Sequence, residues 1–248
     1  MLNGPAAGVY IAVASVATLA GAVASIAGFG IGSLLTPLLA QPLGTKLAVA
    51  AVSIPHLIGT VLRFAMLRQH VDRKVFVRFG LTSAAGGLIG ALLNARFGAV
   101  GLTVLFGAVL CFAGFMELSG MARRLRFGRK TAWAAGAASG LLGGLVGNQG
   151  GIRTAALLGF DVSKEAFVAT STATGILVDG ARMPVYLAAE GGELLRQWPL
   201  VAIAATGVVC GTIAGKYVLG RIPEAVFKRV VAVLVLALGV YMLIKGAA

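Results

Sequence analysis

The sequence contains few charged residues and very few acidic ones. Only 12% of its 248 residues are charged, and 8 Asp and Glu compare with 21 Lys and Arg. Together with a mean hydropathy of +0.95, this composition excludes a soluble globular domain. The alternation of apolar and polar residues that is typical of a transmembrane β-barrel is also absent. We therefore expect a polytopic helical membrane protein.

Residues that carry chemistry are scarce as well. There are two cysteines, and Cys111 and Cys210 each lie in an apolar run with no second Cys or His nearby. This placement is typical of packing residues rather than of a disulfide or a metal site. Paired carboxylates, HExxH, CxxC and a Ser/His/Asp constellation are missing, which argues against an enzyme. The sequence thus predicts no catalytic residue, no metal site and no cofactor.

The net charge of +13 raises nucleic acid as a partner. However, the Lys and Arg residues cluster in short loops between apolar runs, which is the pattern of membrane orientation, and no nucleic-acid-binding motif is present. We expect the lipid bilayer as the surroundings and no nucleic acid. Since Met1 to Pro5 contain no basic residue, we expect the first apolar run to be retained rather than cleaved.

Apolar segments recur along the whole chain. We predict helices at about 6–27, 47–66, 75–94, 98–118, 131–146, 165–188, 198–219 and 226–244, with short apolar pieces at about 33–40 and 152–160. The predicted fold class is all-α, a polytopic helical bundle that forms one transmembrane domain over residues 1–248. The sequence leaves the oligomeric state open.

A glycine-rich break at 143–154 interrupts the apolar run in the second half of the chain. Each glycine weakens a helix by about 1 kcal/mol relative to Ala, so we expect this stretch to be unwound. At membrane depth, unwound backbone is tolerated only where it is buried in protein or lines a polar cavity. The next helix is expected to begin near Gly150 or Gly151, with its free N–H groups and positive dipole end facing the break.

Donor side chains accompany this break. Arg153 lies in the first turn of the expected helix, and Asn148 and Gln149 precede it. The combination predicts an anion site. Two alternatives are open: glycines spaced as Gly140/Gly144 and Gly143/Gly147 also suit close helix packing, and Arg153 also fits a side chain that extends to the membrane interface.

The chain repeats itself. Residues 28–39 match residues 147–158 at an offset of 147 − 28 = 119, and the same offset aligns Arg63 with Arg182. Further on, an offset of 121 pairs Gly86 and Gly90 with Gly207 and Gly211, each a pair suited to close helix contact. We divide the chain into repeat 1 at about 6–118 and repeat 2 at about 131–245. Interrupted helices at matching positions point to the binding site of a transporter.

The distribution of basic residues indicates how the repeats are related. In repeat 1 a basic region is followed by a loop with little charge. In repeat 2 the loop with little charge comes first and the basic region follows. The loop between the two repeats is also basic. The first basic region contains Arg63, Arg68, Arg73, Lys74 and Arg78; the near-neutral loop of repeat 2 contains Glu190, Glu193 and Arg196; the next contains Lys216, Arg221, Lys228 and Arg229. Placing the basic regions in the cytoplasm makes the repeats inverted copies if 6–40 and 131–160 are re-entrant hairpins, and parallel copies if both segments cross. We favour inversion.

Further polar residues lie within apolar segments. The first break has no charged residue, so it would supply backbone N–H groups and hydroxyls. The hydroxyls at 170–174 either bond to carbonyls of their own helix or line a cavity. The substrate-binding candidates are Gly28, Gly30, Gly32, Ser33, Gly147, Asn148, Gln149, Gly150, Gly151, Arg153, Thr170 and Ser171.

Four residues are candidates for coupling or gating: His56, Arg63, Asp179 and Arg182. Asp179 and Arg182 are three residues apart on one helical face, and such an intramembrane pair is either functional or locks two helices together. His56 is either a proton relay, since the pKa of an ordinary histidine lies near 6.5, or a hydrogen-bonded packing residue.

The two glycine-rich breaks, each followed by an apolar run ending in Leu-Leu, resemble the TauE/SafE family of sulfite and organosulfonate exporters. The first copy reads Gly28-Phe29-Gly30-Ile31-Gly32 with Pro37, and the second reads Gly147-Asn148-Gln149-Gly150-Gly151 with Ala156 in place of the proline. The resemblance implies a secondary transporter in the cytoplasmic membrane that exports a small sulfur oxyanion. The alternatives are a carrier of another small organic anion and an anion channel, because helix N-termini accept sulfate, phosphate and carboxylate alike.

Overall fold

The computed structural model describes residues 7–121, 131–148, 150, 153, 157, 163–218 and 224–247. Across these residues the chain forms α-helices and no strand, which confirms the predicted all-α class. The helices are α1 Ala7–Ala27, α2 Ile31–Leu43, α3 Thr45–Leu67, α4 Arg73–Arg96, α5 Ala99–Leu118, α6 Thr131–Val146, α7 Lys164–Arg196, α8 Trp198–Val218 and α9 Glu224–Ala247. A single 3-10 turn, Arg68–His70, joins α3 to α4. The basic mid-chain loop at 122–130 and Arg221 lie outside the described residues.

Most of these helices are long and apolar enough to cross a membrane. Six candidate spans lie within the described residues: Ala7–Ile26, Thr45–His70, Arg73–Arg96, Ala99–Leu118, Trp198–Gly215 and Arg229–Ala247. Large apolar side chains are exposed on their outer faces, among them Ile11, Leu81 and Phe112. The protein is therefore an integral multi-pass membrane protein, as predicted. Two apolar helices are shorter, Ile31–Leu43 and Trp133–Val146.

Capping residues fix where two of the long helices begin. Asp72 precedes α4, and its carboxylate accepts hydrogen bonds from the backbone N–H groups of Lys74 and Val75. Ser163 precedes α7 and accepts from the N–H of Ala166. Such caps satisfy N–H groups that have no partner within the helix. The predicted segment at 165–188 is thus the larger part of a 33-residue helix that continues to Arg196.

The helices pack in pairs, and each of these pairs joins a helix of the first half of the chain to one of the second half. Helix α1 packs along α8, α6 packs along α4, and α5 packs along α9. Helix α3 lies at the centre, against α2, α7 and α8. Helix α7 in turn packs against α4 as well as α3, so α3 and α7 together bring the polar residues of both halves into the interior.

Glycines allow the closest of these contacts. A Cβ on Gly86 or Gly90 of α4 would lie less than 3.0 Å from a carbonyl oxygen of α6, and a Cβ on Gly211 of α8 would be as close to α1. Gly140 and Gly144 of α6 make the reciprocal contact with α4. The prediction that Gly86, Gly90 and Gly211 serve close helix packing is confirmed, and for Gly140 and Gly144 the packing alternative holds.

Replacing Gly90 by Ala is expected to destabilise the contact between α4 and α6. The added methyl would collide with the Leu141 carbonyl, and overpacking of this kind costs about 1–3 kcal/mol. Thermal unfolding of the purified protein in detergent would measure the loss. Gly180→Ala is the matched control, because nothing lies within 4 Å of a Cβ at that helical glycine. Equal melting temperatures for the two variants would contradict the contact.

Candidate functional site

Both predicted breaks are present in the structure. Helix α1 ends at Ala27 and α2 begins at Ile31, with Gly28 at φ +76° and Gly30 at φ +128° between them. Helix α6 ends at Val146 and is followed by Gly147 at φ +75°. These positive φ angles are readily adopted only by glycine, which explains why both breaks need it.

The two breaks contact each other in the protein interior. Gly32, in the first turn of α2, packs so closely on the carbonyl of Gly147 that a Cβ there would lie less than 3.0 Å from that oxygen. Likewise, a Cβ on Gly150 would be less than 3.0 Å from Phe29. The fold therefore brings together the matching segments, which are 119 residues apart in the sequence.

The helix N-terminus after the first break has no capping side chain. Gly30 occupies the N-cap position of α2, and no side-chain hydrogen bond caps it. Gly32 and Ser33 follow and are buried. The first-turn N–H groups of α2 thus lie beside the second break without a capping side chain, as the anion-site prediction requires.

Arg153 lies beyond the second break and is buried. Gly150, Arg153 and Leu157 are helical, and the Arg153 side chain is only 4% exposed. Its Nη1 donates to the backbone carbonyl of Ser171 at 3.1 Å, whereas its Nε and Nη2 have no hydrogen-bond partner among the described residues. The burial excludes the alternative in which Arg153 extends to the membrane interface. Gln149 and Gly151 lie outside the described residues.

Other buried polar side chains also lack hydrogen-bond partners. Within the described part of the chain, the Asn148 amide nitrogen and the hydroxyls of Thr36, Thr172 and Thr174 are buried without a hydrogen-bond partner. Thr170 is already engaged, because its oxygen accepts from the backbone N–H of Asp72 at 3.0 Å. Of the predicted hydroxyl patch, then, Ser171 contacts Arg153 through its carbonyl, and Thr170 connects α7 to the start of α4.

Asp179 is the centre of a buried ion network. Its carboxylate accepts a hydrogen bond from Arg182 Nε at 3.0 Å and forms an ion pair with Arg182 Nη2 at 2.8 Å. The predicted pairing of these residues is confirmed. Its other oxygen lies 2.6 Å from Nδ1 of His56 on α3. His56 is therefore hydrogen-bonded within the bundle, and this bond joins α3 to α7.

The same network holds the end of α6. Arg182 Nη1 donates to the carbonyl of Gly143, and the hydroxyl of Tyr186 donates to the carbonyl of Gly144. Tyr186 did not stand out in the sequence, although its position four residues after Arg182 places the two on one helical face. The Gly143 carbonyl also accepts from the backbone N–H of Gly147 at 3.0 Å, so these two side chains add hydrogen bonds that hold α6 just before its break.

Arg63 differs from its prediction. Assigning it to the basic region between the first helices was wrong: its side chain is 4% exposed and lies inside α3. Arg63 Nη2 donates to the Thr60 hydroxyl at 3.1 Å, and its Nε and Nη1 have no partner in the described ranges. Arg68, Arg73, Lys74 and Arg78 are exposed, as expected of a basic surface region.

The buried site has an excess of positive charge. Among the described residues the buried charged side chains are Arg63, Arg153, Arg182 and Asp179. Asp179 attracts all three guanidinium groups, and Arg153 is repelled by the other two. With His56 neutral, three positive charges against one negative leave 3 − 1 = 2 uncompensated positive charges. Since uncompensated buried charge is costly in a membrane, an anion would stabilise this site.

Removing the carboxylate of Asp179 is expected to destabilise the fold. In Asp179→Asn the Arg182 guanidinium loses its buried counter-charge, a change that costs about 3–5 kcal/mol in comparable pairs. Glu193→Gln is the matched control, because Glu193 and Arg196 form an exposed pair with the same spacing on the same helix, at 2.9 Å. Exposed pairs contribute little, so the control should melt close to the wild type. A similar melting temperature for both variants would show that the buried pair is not structural.

A cavity lies elsewhere, and none of its lining residues belongs to the ion network. It has a volume of about 190 Å³ and opens between α2, α5 and α9, where Gln41, Thr103 and Lys245 are among its lining residues. Lys245 is exposed, and its charge is therefore solvated rather than buried. The unpartnered donors of Asn148 and Arg153 lie instead at and just beyond the second break, which makes that region the candidate anion site.

The fold and this cluster together define a class: a multi-pass helical membrane protein with a buried, positively charged polar centre. Residues 13–242 match the family model described as sulfite exporter TauE/SafE. The chain belongs to this family, whose members are membrane transporters rather than enzymes, as the sequence predicted. No curated protein and no solved structure matches the chain.

Proposed function

We propose that this protein is a secondary transporter that exports a small sulfur oxyanion, sulfite or a short organosulfonate, across the cytoplasmic membrane. The observation that carries the proposal is the contact between the two breaks at Gly32 and Gly147, close to a buried arginine with unpartnered donors. Family membership supports sulfur as the central atom of the substrate. An oxyanion would supply the acceptors that these donors lack.

The anion is held by several weak contacts rather than one strong one. The first turn of α2 offers N–H groups without a capping side chain beside the second break, and a helix end contributes about 0.3–1 kcal/mol. Asn148, Gln149 and Arg153 add side-chain donors. Binding of this modest strength suits a transporter, which must release its substrate on the other side.

Alternating access follows from two inverted repeats that rock against each other around this site. The exchange of helices supports such a relation: α1 of the first repeat packs along α8 of the second, and α6 of the second packs along α4 of the first. In this arrangement 6–40 and 131–160 are re-entrant hairpins, and the whole chain is one transport domain in the inner membrane.

Counterflow in proteoliposomes tests the proposed function. Vesicles preloaded with unlabelled sulfite should accumulate radiolabelled sulfite in a saturable manner, and sulfate, sulfoacetate and taurine should be compared with acetate as competitors. Competition by sulfate and sulfoacetate but not by acetate would support the assignment. Preferential competition by acetate would indicate a carrier of another organic anion, and unsaturable flux without counterflow would indicate a channel.

A further inference from the structure

We propose that Arg63 is a second anion-binding residue opposite Arg153, and that these two guanidinium groups make the site selective for doubly charged oxyanions. The inference rests on the proposed function, since it names the charge of the anion that the same site takes. It moves Arg63 from the gating candidates to the binding residues.

Arg153 and Thr60, the hydrogen-bond partner of Arg63, approach one place from opposite halves of the chain. Arg63 donates to the hydroxyl of Thr60, and Thr60 Cγ2 lies 3.2 Å from where a Cβ on Gly175 would be. Arg153 Nη1 lies 3.2 Å from that same point. Arg153 and Thr60 therefore meet at Gly175, and Arg63 lies one hydrogen bond beyond Thr60.

The repeat explains why Arg63 has no counter-charge. The offset of 119 aligns Arg63 with Arg182, and by the same count it aligns Thr60 with Asp179. The charge of Arg182 is neutralised by Asp179, three residues before it. The residue three before Arg63 is Thr60, which offers Arg63 a hydroxyl and no charge. One side-chain difference thus leaves Arg63 charged, with Nε and Nη1 unpartnered among the residues described.

The position of His56, which also contacts Asp179, differs between the repeats too. His56, which contacts Asp179, aligns with Gly175 at this offset. A side chain at position 175 would press on both Arg153 and Thr60, each 3.2 Å from its Cβ position. The first repeat therefore completes a neutralised cluster around Asp179 and Arg182, whereas the glycine in the second repeat lets Arg153 pack close to Thr60, the partner of Arg63.

Charge determines which anion these two arginines prefer. After Asp179 compensates Arg182, the Arg63 and Arg153 charges are left, and they repel each other. A doubly charged oxyanion compensates both of them, whereas a singly charged one leaves a buried positive charge. Because Coulomb attraction grows with the charge of the ligand, we expect a preference for sulfate over methanesulfonate of about tenfold. These two probes share a tetrahedral sulfur and differ by one charge.

The test replaces Thr60 by Asp, which copies the pairing of the second repeat onto the first. Thr60→Asn has nearly the same shape without the charge and is the matched control. Purified protein is titrated with sodium sulfate or sodium methanesulfonate at constant ionic strength, and the melting temperature is recorded. The wild type and Thr60→Asn should bind sulfate about tenfold more tightly, whereas Thr60→Asp should bind both anions equally within about twofold. Thr60→Asp should also melt higher than Thr60→Asn without added anion.

If Thr60→Asp does not fold, a second pair of variants tests whether Arg63 causes the preference for sulfate. Arg63→Gln should lose the preference for sulfate, and Arg68→Gln, which alters an exposed arginine nearby, should retain it. The inference is overturned if the wild type shows no preference for sulfate, or if Thr60→Asp retains the same preference as Thr60→Asn. Sulfate binding with this charge dependence but without sulfite counterflow would leave the inference standing and refute the proposed function.

Discussion

Replacing Arg153 by Gln is expected to reduce sulfite counterflow at least about tenfold, because hydrogen bonds to a charged group contribute about 1.5–3 kcal/mol. Two of the three guanidinium nitrogens of Arg153 have no partner among the described residues, so they are the donors that a bound anion would use. The variant should fold as well as the wild type. In the wild type, the only hydrogen-bond partner of the Arg153 side chain among the described residues is the Ser171 carbonyl. Removing this uncompensated buried charge also relieves its repulsion from Arg63 and Arg182.

The control for this prediction is Arg196→Gln, which removes an exposed arginine from α7. Counterflow by this variant should equal that of the wild type. The melting temperature of each variant separates lost transport from lost protein. Normal counterflow by well-folded Arg153→Gln protein would remove Arg153 from the site.

Replacing Gly32 by Ala is expected to abolish transport, because it inserts a methyl group between the two breaks. The new Cβ would lie less than 3.0 Å from the Gly147 carbonyl, and the breaks would have to separate. The backbone of Gly32 is helical, so Ala is acceptable there in conformation and the effect comes from the contact alone. Counterflow per folded molecule, from uptake and the folded fraction in detergent, is the quantity to measure.

Gly90→Ala serves as the matched control for Gly32→Ala. It places a methyl equally close to a carbonyl, but at the contact between α4 and α6 rather than at the breaks. It should lower the melting temperature yet retain counterflow per folded molecule. If both variants lose transport in proportion to their folded fraction, the contact at Gly32 has no special role in transport.

Much of this fold could be predicted from sequence because its determinants are local. Apolar runs and glycine spacing predicted the helices, the positions of the breaks and the close contacts of Gly86 and Gly90. The pairing of Asp179 with Arg182 was also predictable, since residues three apart on a helix share a face. Arg153 was predictable from local sequence too, because it directly follows a glycine-rich break.

Contacts between distant residues could not be predicted. The bond between His56 and Asp179 joins residues 123 apart, and no pattern around either one indicates it. Arg63 was assigned to a basic surface region because four exposed basic residues follow it in the sequence, yet it points into the bundle. The sequence also gives no sign that the Thr170 hydroxyl accepts a hydrogen bond from the backbone N–H of Asp72, 98 residues away.

The central claim is that the anion lies where the two breaks meet, and locating a bound anion tests it most directly. Selenite, an anomalously scattering analogue of sulfite, would be diffused into crystals of the protein. The account predicts a selenium peak within hydrogen-bond distance of Arg153, beside the contact of Gly32 with Gly147. A peak confined to the cavity lined by Gln41 and Lys245, or no peak in protein that shows saturable sulfite counterflow, would contradict it.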